Sequence, residues 1–234
     1  MTRVAIMQPT YLPWCGYFGL MQAVDVFIFL DSVQFAKRSW QQRNQIKTPQ
    51  GPQWLTVPVS SKGKREQLIC EASLDNASSF ASTHCKTIET NYAKAASFKS
   101  LAPGLLACLE QPQARLVDLN IGIIEHCRKV LEIETPVLLS SQMAGSGAKA
   151  DLLASLCKAV GATEYLSVPG SKDYLDESNA FAEIGVEVRY FNYLHPMYPQ
   201  LFGDFLPYMS VVDMLLNCGE RSVELIRGGI KVSA

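Results

Sequence analysis

Two short runs near the amino end, each apolar after its first residue, constrain the fold more than anything else in the chain. Residues 3–7 (Arg-Val-Ala-Ile-Met) and 25–30 (Asp-Val-Phe-Ile-Phe-Leu) lack the alternation of a half-exposed strand. Continuous runs of this length belong to strands buried on both faces of a parallel sheet. Residues 14–23 between them carry helical spacing, so strand, proline-rich turn, helix and strand form a βαβ opening with a right-handed crossover.

The last hundred residues return to this alternation. Strands are expected at 136–140, 164–168 and 186–191, and helices at 149–160, from there to residue 185, and from about residue 210. The pattern predicts an α/β fold: a Rossmann-like open, mostly parallel sheet with helices on both faces and a helical insertion. In the middle of the chain, residues 54–59 and 67–74 are expected to be the strands of a hairpin joined by the turn-rich 60–65. From 78 to 132 the spacing is helical, with Leu116, Leu119, Ile123, Cys127 and Val130 on one face. The 234 residues are thus expected to form a single α/β domain, with a basic hairpin segment at 36–75 and a helical lobe at 76–132 inserted between the two βα halves.

A chain of this length buries a core without staples. Its seven cysteines are odd in number and contain no C-x-x-C pair, which reads as thiols in a reducing compartment. No zinc-ligand spacing occurs, and the neighbours in His84-Cys85 and His126-Cys127 diverge on a helix, so both pairs are expected to be structural. There is no signal-like leader and no apolar run long enough to span a bilayer. A cytoplasmic protein is expected.

Ligands of open parallel sheets bind beyond the carboxyl ends of the strands, so the segments after each strand matter most. After the first comes Gln8-Pro-Thr-Tyr-Leu-Pro-Trp14, in which Gln8, Tyr11 and Trp14, with Tyr17 just beyond, can hydrogen-bond or stack. After the second come Asp31 and Gln34, then Lys37, Trp40, Arg43, Asn44 and Lys47. Between residues 32 and 65 stand seven positive residues and no acidic one, although the whole chain carries a net charge of −1. Such an excess attracts anions and suits phosphate. The charges alone would equally fit a solvated face, but the interleaved Trp40 and Trp54 add surfaces on which a base or sugar ring stacks.

A second constellation, His195-Pro-Met-Tyr198-Pro-Gln200, follows the strand expected at 186–191. His195 is the one histidine on an expected loop and a candidate general acid or base; Tyr198 and Gln200 are candidate substrate contacts. Asp213 is a carboxylate near the amino end of an apolar helix, a candidate catalytic group whose plainer role is a cap or dipole partner. The strand-to-helix turn at 140–149 could hold an anion on free N–H groups but lacks the adjacent Gly-Lys-Ser/Thr of a P-loop; 167–171 is a similar turn. A G-x-S-x-G elbow is absent, which disfavours a serine hydrolase.

These residues resemble the WbqC-like family almost end to end. The matching stretches are Gln8 to Trp14 with Gly16-Tyr-Phe18, Leu30-Asp-Ser-Val-Gln-Phe35, Trp40 with Arg43-Asn44 and Lys47, and Trp54-Leu-Thr-Val-Pro-Val59. Further along they are Gly161-Ala162 with Tyr165-Leu-Ser167, Asp173-Tyr-Leu175, His195-Pro with Tyr198-Pro-Gln200, and 210–217. The resemblance implies a bacterial protein and, for several members, a place among genes for O-antigen and other surface polysaccharides (lipopolysaccharide), with glycine or aminoacyl transfer to an amino sugar as the suggested role. More distantly, Trp14-x-Gly16-Tyr17 after the first strand is similar to the H-x-G-H opening of HIGH-type nucleotidylyltransferases. Both histidine positions are aromatic here, so the groups such enzymes use on the transferring phosphate are replaced.

The first expectation is a transferase acting on a nucleotide-linked amino sugar. In it the basic segment holds the diphosphate, Tyr11, Trp14 and Trp40 stack on base or sugar, and His195 takes the proton from an attacking amine. An alternative is a nucleotidylyltransferase-like enzyme using Mg²⁺ with Asp31 as a ligand. A third is a non-catalytic nucleotide- or RNA-binding module, and tRNA as an aminoacyl donor is compatible with the first.

Overall fold

A computed structural model describes residues 1–75 and 77–231; Asn76, where the helical lobe was expected to begin, and residues 232–234 lie outside it. The opening unit is β1 (Arg3–Met7), α1 (Cys15–Gln22) and β2 (Val26–Phe29). After the hairpin of β3 (Arg43–Thr48) and β4 (Gly51–Thr56) come the helices α2 (Phe80–Tyr92), α3 (Phe98–Glu110) and α4 (Leu116–Val130). Alternation then resumes with β5 (Val137–Leu139), α5 (Ala150–Ala159), β6 (Glu164–Ser167), α6 (Lys172–Asp176), α7 (Ala180–Glu183) and β7 (Glu187–Tyr190). The chain closes with β8 (Asn192–Tyr193), α8 (Val211–Cys218), α9 (Arg221–Gly229) and β9 (Ile230–Lys231), the last strand pairing with β8.

The main sheet has the order β5-β2-β1-β6-β7, and every pairing in it is parallel. This is the α/β, Rossmann-like arrangement. Strand side chains divide between two cores as the pleat requires. Ala5, Phe27, Phe29 and Leu166 point into a large core with α1, α2 to α4 and α8. Val4, Ile6, Ile28 and Tyr165 point into a smaller one with α5 and α7. Both faces are therefore covered, which is why the runs at 4–7 and 26–30 are apolar without interruption. Chain order reverses at β1, with β2 and β5 on one side and β6 and β7 on the other, so a topological switch point opens at its carboxyl end.

Three expectations need correction. The extended hairpin lies at 43–56, where Gln45 pairs with Trp54 and Thr48 with Gly51, and of the pairing expected between 54–59 and 67–74 there is a single antiparallel bridge, Val59 to Leu74. Pro49 fixes the start of the tight reversal and Gly51, at φ +99°, supplies the left-handed residue that closes it. Residues 67–74 instead pass through a 3₁₀ turn at Ile69–Glu71, which Glu71 closes by accepting the Leu68 N–H at 3.0 Å. Secondly, the helix expected up to residue 185 is two short ones, interrupted where the Ser178 hydroxyl accepts the Ala180 N–H at 3.2 Å. Lastly, Gly219 at φ +58° ends α8 and lets α9 turn away, so the terminal helix is also two.

Candidate functional site

The segment after β1 builds a cleft at the switch point. Leu12 adopts φ +45° between Tyr11 and Pro13, a backbone state that costs energy for a residue with a Cβ. Four hydrogen bonds hold it there. Asn44 Nδ2 donates to the Leu12 carbonyl at 2.7 Å, Tyr11 N–H donates to the Trp40 carbonyl at 2.9 Å, and Asn120 Nδ2, from buried α4, donates to the carbonyls of Pro9 (3.0 Å) and Gln41 (2.8 Å). The loop thereby turns Trp14 back over the first turn of α1. A Cβ on Gly16 would sit 2.2 Å from the Trp14 ring, so only glycine admits that approach. No side chain caps α1, which begins directly at the cleft.

The cleft encloses about 280 Å³ between Met7, Thr10, Pro13, Trp14, Tyr17, Trp40, Asn44 and Tyr208. Its walls are aromatic and its polar groups few, the composition of sites that take a planar or sugar ring. Trp14, Tyr17, Trp40 and Asn44 are the expected site residues that meet here. Gln8 stands behind them, its carbonyl accepting the Tyr17 hydroxyl at 3.2 Å and its Oε1 accepting Gln41 Nε2 at 2.9 Å.

His195 forms the outer support of this wall. Its ring stacks on Trp14 at 5.9 Å and 14° and meets Tyr208 edge-on at 5.1 Å. The Tyr208 N–H donates to Nε2 at 3.1 Å, and Nδ1–H donates to the Pro196 carbonyl at 2.9 Å, which fixes the neutral tautomer. Desolvation in the half-buried position lowers its pKa, opposed by the Pro196 carbonyl. Cys15 Sγ lies 3.6 Å from Nε2, but burial pushes this thiol up to about 12, so it is not a thiolate nucleophile.

The remaining expected residues fall elsewhere, for identifiable reasons. Tyr11 is fully buried, its hydroxyl 2.7 Å from His84 Nδ1, so it packs inside the core and offers no stacking face. Burial lowers the His84 pKa to about 4, which leaves a neutral partner. Asp31 joins β2 to the turn after β5: Oδ1 accepts from the Ser140 hydroxyl (2.9 Å) and the Ser141 N–H (2.8 Å), and Oδ2 from the Ser141 hydroxyl (2.6 Å). Both oxygens are occupied by protein donors, and no cluster of three metal-ligating side chains exists among the described residues, so the ligand role expected for Asp31 toward Mg²⁺ finds no support in its surroundings. Gln34 is exposed and donates to the Arg65 carbonyl at 2.8 Å, and Lys37 is exposed in the turn before Trp40.

Lys47 departs furthest from expectation. It shares a hairpin face with Arg43 but is buried, because the 203–204 loop folds over that end of β3 and its carbonyls accept the Lys47 Nζ donors. Lys47 N–H donates to the Tyr92 hydroxyl at 3.0 Å, and that hydroxyl donates to Asp213 Oδ2 at 2.7 Å. Asp213 is fully buried; Tyr198 and Gln200 approach its carboxylate, yet Oδ1 lacks a partner in hydrogen-bond geometry. Desolvation raises the Asp213 pKa, and Tyr92, Tyr198, Gln200 and the Lys47 charge oppose the rise. The cap of α8 is Ser210, whose hydroxyl accepts the Val212 N–H at 3.3 Å. Gln200 braces the loop over this network, Nε2 donating to the Leu206 carbonyl and Oε1 accepting the Leu206 N–H.

The aromatic switch-point cleft, the Gln8–Trp14 turn and the Lys47–Asp213 network are all drawn from one continuous stretch of similarity. The WbqC-like protein family matches residues 8–225. The chain belongs to the WbqC-like family. The WbqC-like chain is also 39% identical over 229 residues to the uncharacterized protein Rv1507c of Mycobacterium tuberculosis, an alignment covering 97% of this chain and 98% of that protein. No solved structure matches it. Among the described residues of this WbqC-like protein, no helix is long and apolar enough to cross a membrane.

Sequence reasoning missed Tyr208, Thr10, Asn120 and Gln41. Tyr208 at φ +61° follows a proline in a proline-rich stretch, a composition that marks a constrained turn. Asn120 stands out as a polar residue on the apolar side of α4, where an amide needs a specific partner. Thr10 and Gln41 carry no sequence signal that separates them from ordinary loop residues.

Proposed function

We propose that this protein is a cytoplasmic transferase acting on a nucleotide-linked amino sugar in surface-polysaccharide (O-antigen) assembly, transferring an amino acid such as glycine, or another acyl group, to the sugar amine. The observation that carries this reading is the aromatic cleft at the switch point of the parallel sheet, which ends at the uncapped start of α1, with Arg43 next to the lining residue Asn44 in β3. A base or sugar ring stacks between Trp14, Trp40 and Tyr208, and the diphosphate reaches the helix start and Arg43. In the transfer, the amine nitrogen forms the new bond to the acyl carbon as the bond to the donor's leaving oxygen breaks. The amine proton passes to solvent, and His195, stacked on the outer side of Trp14 with its Nε2 taken by the Tyr208 N–H, positions that ring. Enclosure in the cleft contributes mainly by orienting the reactants, a factor able to supply roughly 7 kcal/mol or more of barrier reduction.

The test is a thermal-shift screen with UDP- and dTDP-linked amino sugars, with and without Mg²⁺. A ligand at about 100 times its Kd adds about 2.7 kcal/mol, and the shift is expected to vanish in Trp14→Ala and to shrink in Arg43→Ala. A flat screen would sink the reading. A response that appears only with Mg²⁺ and releases pyrophosphate from a nucleotide would replace it with nucleotidyl transfer.

A further inference from the structure

The outer face of the β3–β4 hairpin lies beyond the lining of the cleft. Antiparallel pairing sets Gln45 opposite Trp54 and Arg43 opposite Thr56, so Arg43 and Trp54 are diagonal neighbours on one face. The Arg43 guanidinium carbon lies 4.2 Å from the Trp54 ring centroid, and Trp40 packs against Trp54 at 5.4 Å and 40°. The two indoles are held by each other and by Arg43, yet Trp40 remains 53% and Trp54 41% exposed. Leaving indoles in water forgoes the stabilisation of burying them, and contiguous exposed aromatics mark interaction surfaces.

The charges around the pair select what covers it. Lys37 and Arg38 are exposed in the turn leading to Trp40. The bond from Gln34 to the Arg65 carbonyl, with that from the Phe35 N–H to the Gln67 carbonyl at 2.9 Å, lays the loop carrying exposed Lys62, Lys64 and Arg65 beside that turn. Glu66 is the acidic residue of this loop, against those five cations and Arg43. An apolar protein surface would find no use for so many positive groups, whereas a polyanion whose monomers carry flat rings matches both properties at once.

We infer that the Trp40–Trp54–Arg43 platform binds single-stranded nucleic acid, with bases stacking on the two indoles and phosphates running along Lys37, Arg38 and the 62–65 loop. Trp40 also lines the cleft, so a strand on the platform ends at the switch point. The inference does not depend on the transferase reading. RNA and DNA strands share the required chemistry, and separate titrations distinguish them.

The experiment is a fluorescence-anisotropy titration of the full chain with labelled single-stranded RNA, single-stranded DNA and a blunt duplex, each about 12 nucleotides long. Binding of either single strand is expected, with quenching of tryptophan emission and an affinity loss of about tenfold or more between about 50 and about 200 mM salt. Trp54→Ala, which removes a ring outside the cleft lining, is expected to weaken the single strand by about tenfold or more while retaining the wild-type melting profile. Lys37→Glu with Arg38→Glu is expected to weaken it through charge alone. No binding to either strand, equal affinity in folded Trp54→Ala, or equal affinity for the duplex would each overturn the inference. So would a dimeric mass that Trp54→Ala returns to monomer, since a second copy would then be the cover. A flat nucleotide-sugar screen beside intact strand binding would remove the cleft reading alone.

Discussion

Along the carboxyl edge of the main sheet, the β2–β5 half is tied together by a saturated carboxylate and the β1 half carries the aromatic cleft. At the β2–β5 half, Asp31 gathers three hydrogen bonds from Ser140 and Ser141, and the Ser140 hydroxyl in turn accepts the Asp31 and Ser32 N–H groups. At the β1 half, aromatic rings stand around an empty volume, Leu12 and Tyr208 hold left-handed backbone, and Asn120 and Asp213 each bury an oxygen without a partner. A saturated carboxylate makes a clamp between strands and leaves nothing for a ligand. Unspent polar groups, strained turns and uncovered rings are what a preorganised site retains.

The largest effect that tests this contrast is the loss of the clamp. Asp31→Ala strands three donors of Ser140 and Ser141, each at about 1–3 kcal/mol, and urea unfolding is expected to show a loss of roughly 3–5 kcal/mol, with the folded fraction still responding to nucleotide sugars. Unchanged stability with a lost response would invert the roles of the two halves.

Next comes the buried pair behind the cleft. Lys47→Met is expected to cost about 2–4 kcal/mol, and combining it with Asp213→Asn should recover about 1–3 kcal/mol of the summed single losses. Additive losses would show that the two charges do not communicate. The pH dependence carries its own sign. Because the folded pKa of Asp213 is raised, the folded state binds the proton more tightly than the unfolded one. Its contribution to stability is therefore full below the unfolded value of about 3.9 and is lost as pH rises through the folded value. Parent protein should lose stability relative to Asp213→Asn as pH rises from acid toward neutral, read by denaturant midpoints at each pH; a constant difference would refute the raised pKa.

Smaller effects sharpen the boundary of the aromatic cleft. Tyr208→Ala removes a largely exposed ring that meets Trp14 edge-on at 5.4 Å, so ligand affinity should fall about 3- to 10-fold with little change in melting temperature. Gln34→Ala removes one surface hydrogen bond outside the cleft, and about 0.5 kcal/mol or less is expected with no change in ligand response. An effect on binding equal to that of Tyr208→Ala would extend the site beyond the walls described.

How much was legible follows from how local each signal is. Ala5 and Ile28 announced a doubly covered sheet because burial on both faces leaves no polar position in the strand. That Trp14, Tyr17, Trp40 and Asn44 would come together was legible because the loops after β1 and β2 must leave a parallel sheet at the same edge. Tyr11 was not distinguishable from Trp14 in sequence, since the left-handed turn at Leu12 sends one ring inward and the other outward. Lys47 and Arg43 were equally basic on paper, and a loop from the far end of the chain, at 203–204, buried one and left the other on the surface.

The sequence by itself determined the βαβ alternation, the parallel sheet and the charge excess of residues 32–65, all consequences of side-chain type at short spacing. Only the tertiary structure decided where the aromatic cleft forms, which carboxylate is spent and which cation is buried. Those outcomes depend on contacts between segments more than a hundred residues apart, such as Asp31 with Ser140 and Tyr92 with Asp213, where geometry and not composition sets which polar groups are satisfied.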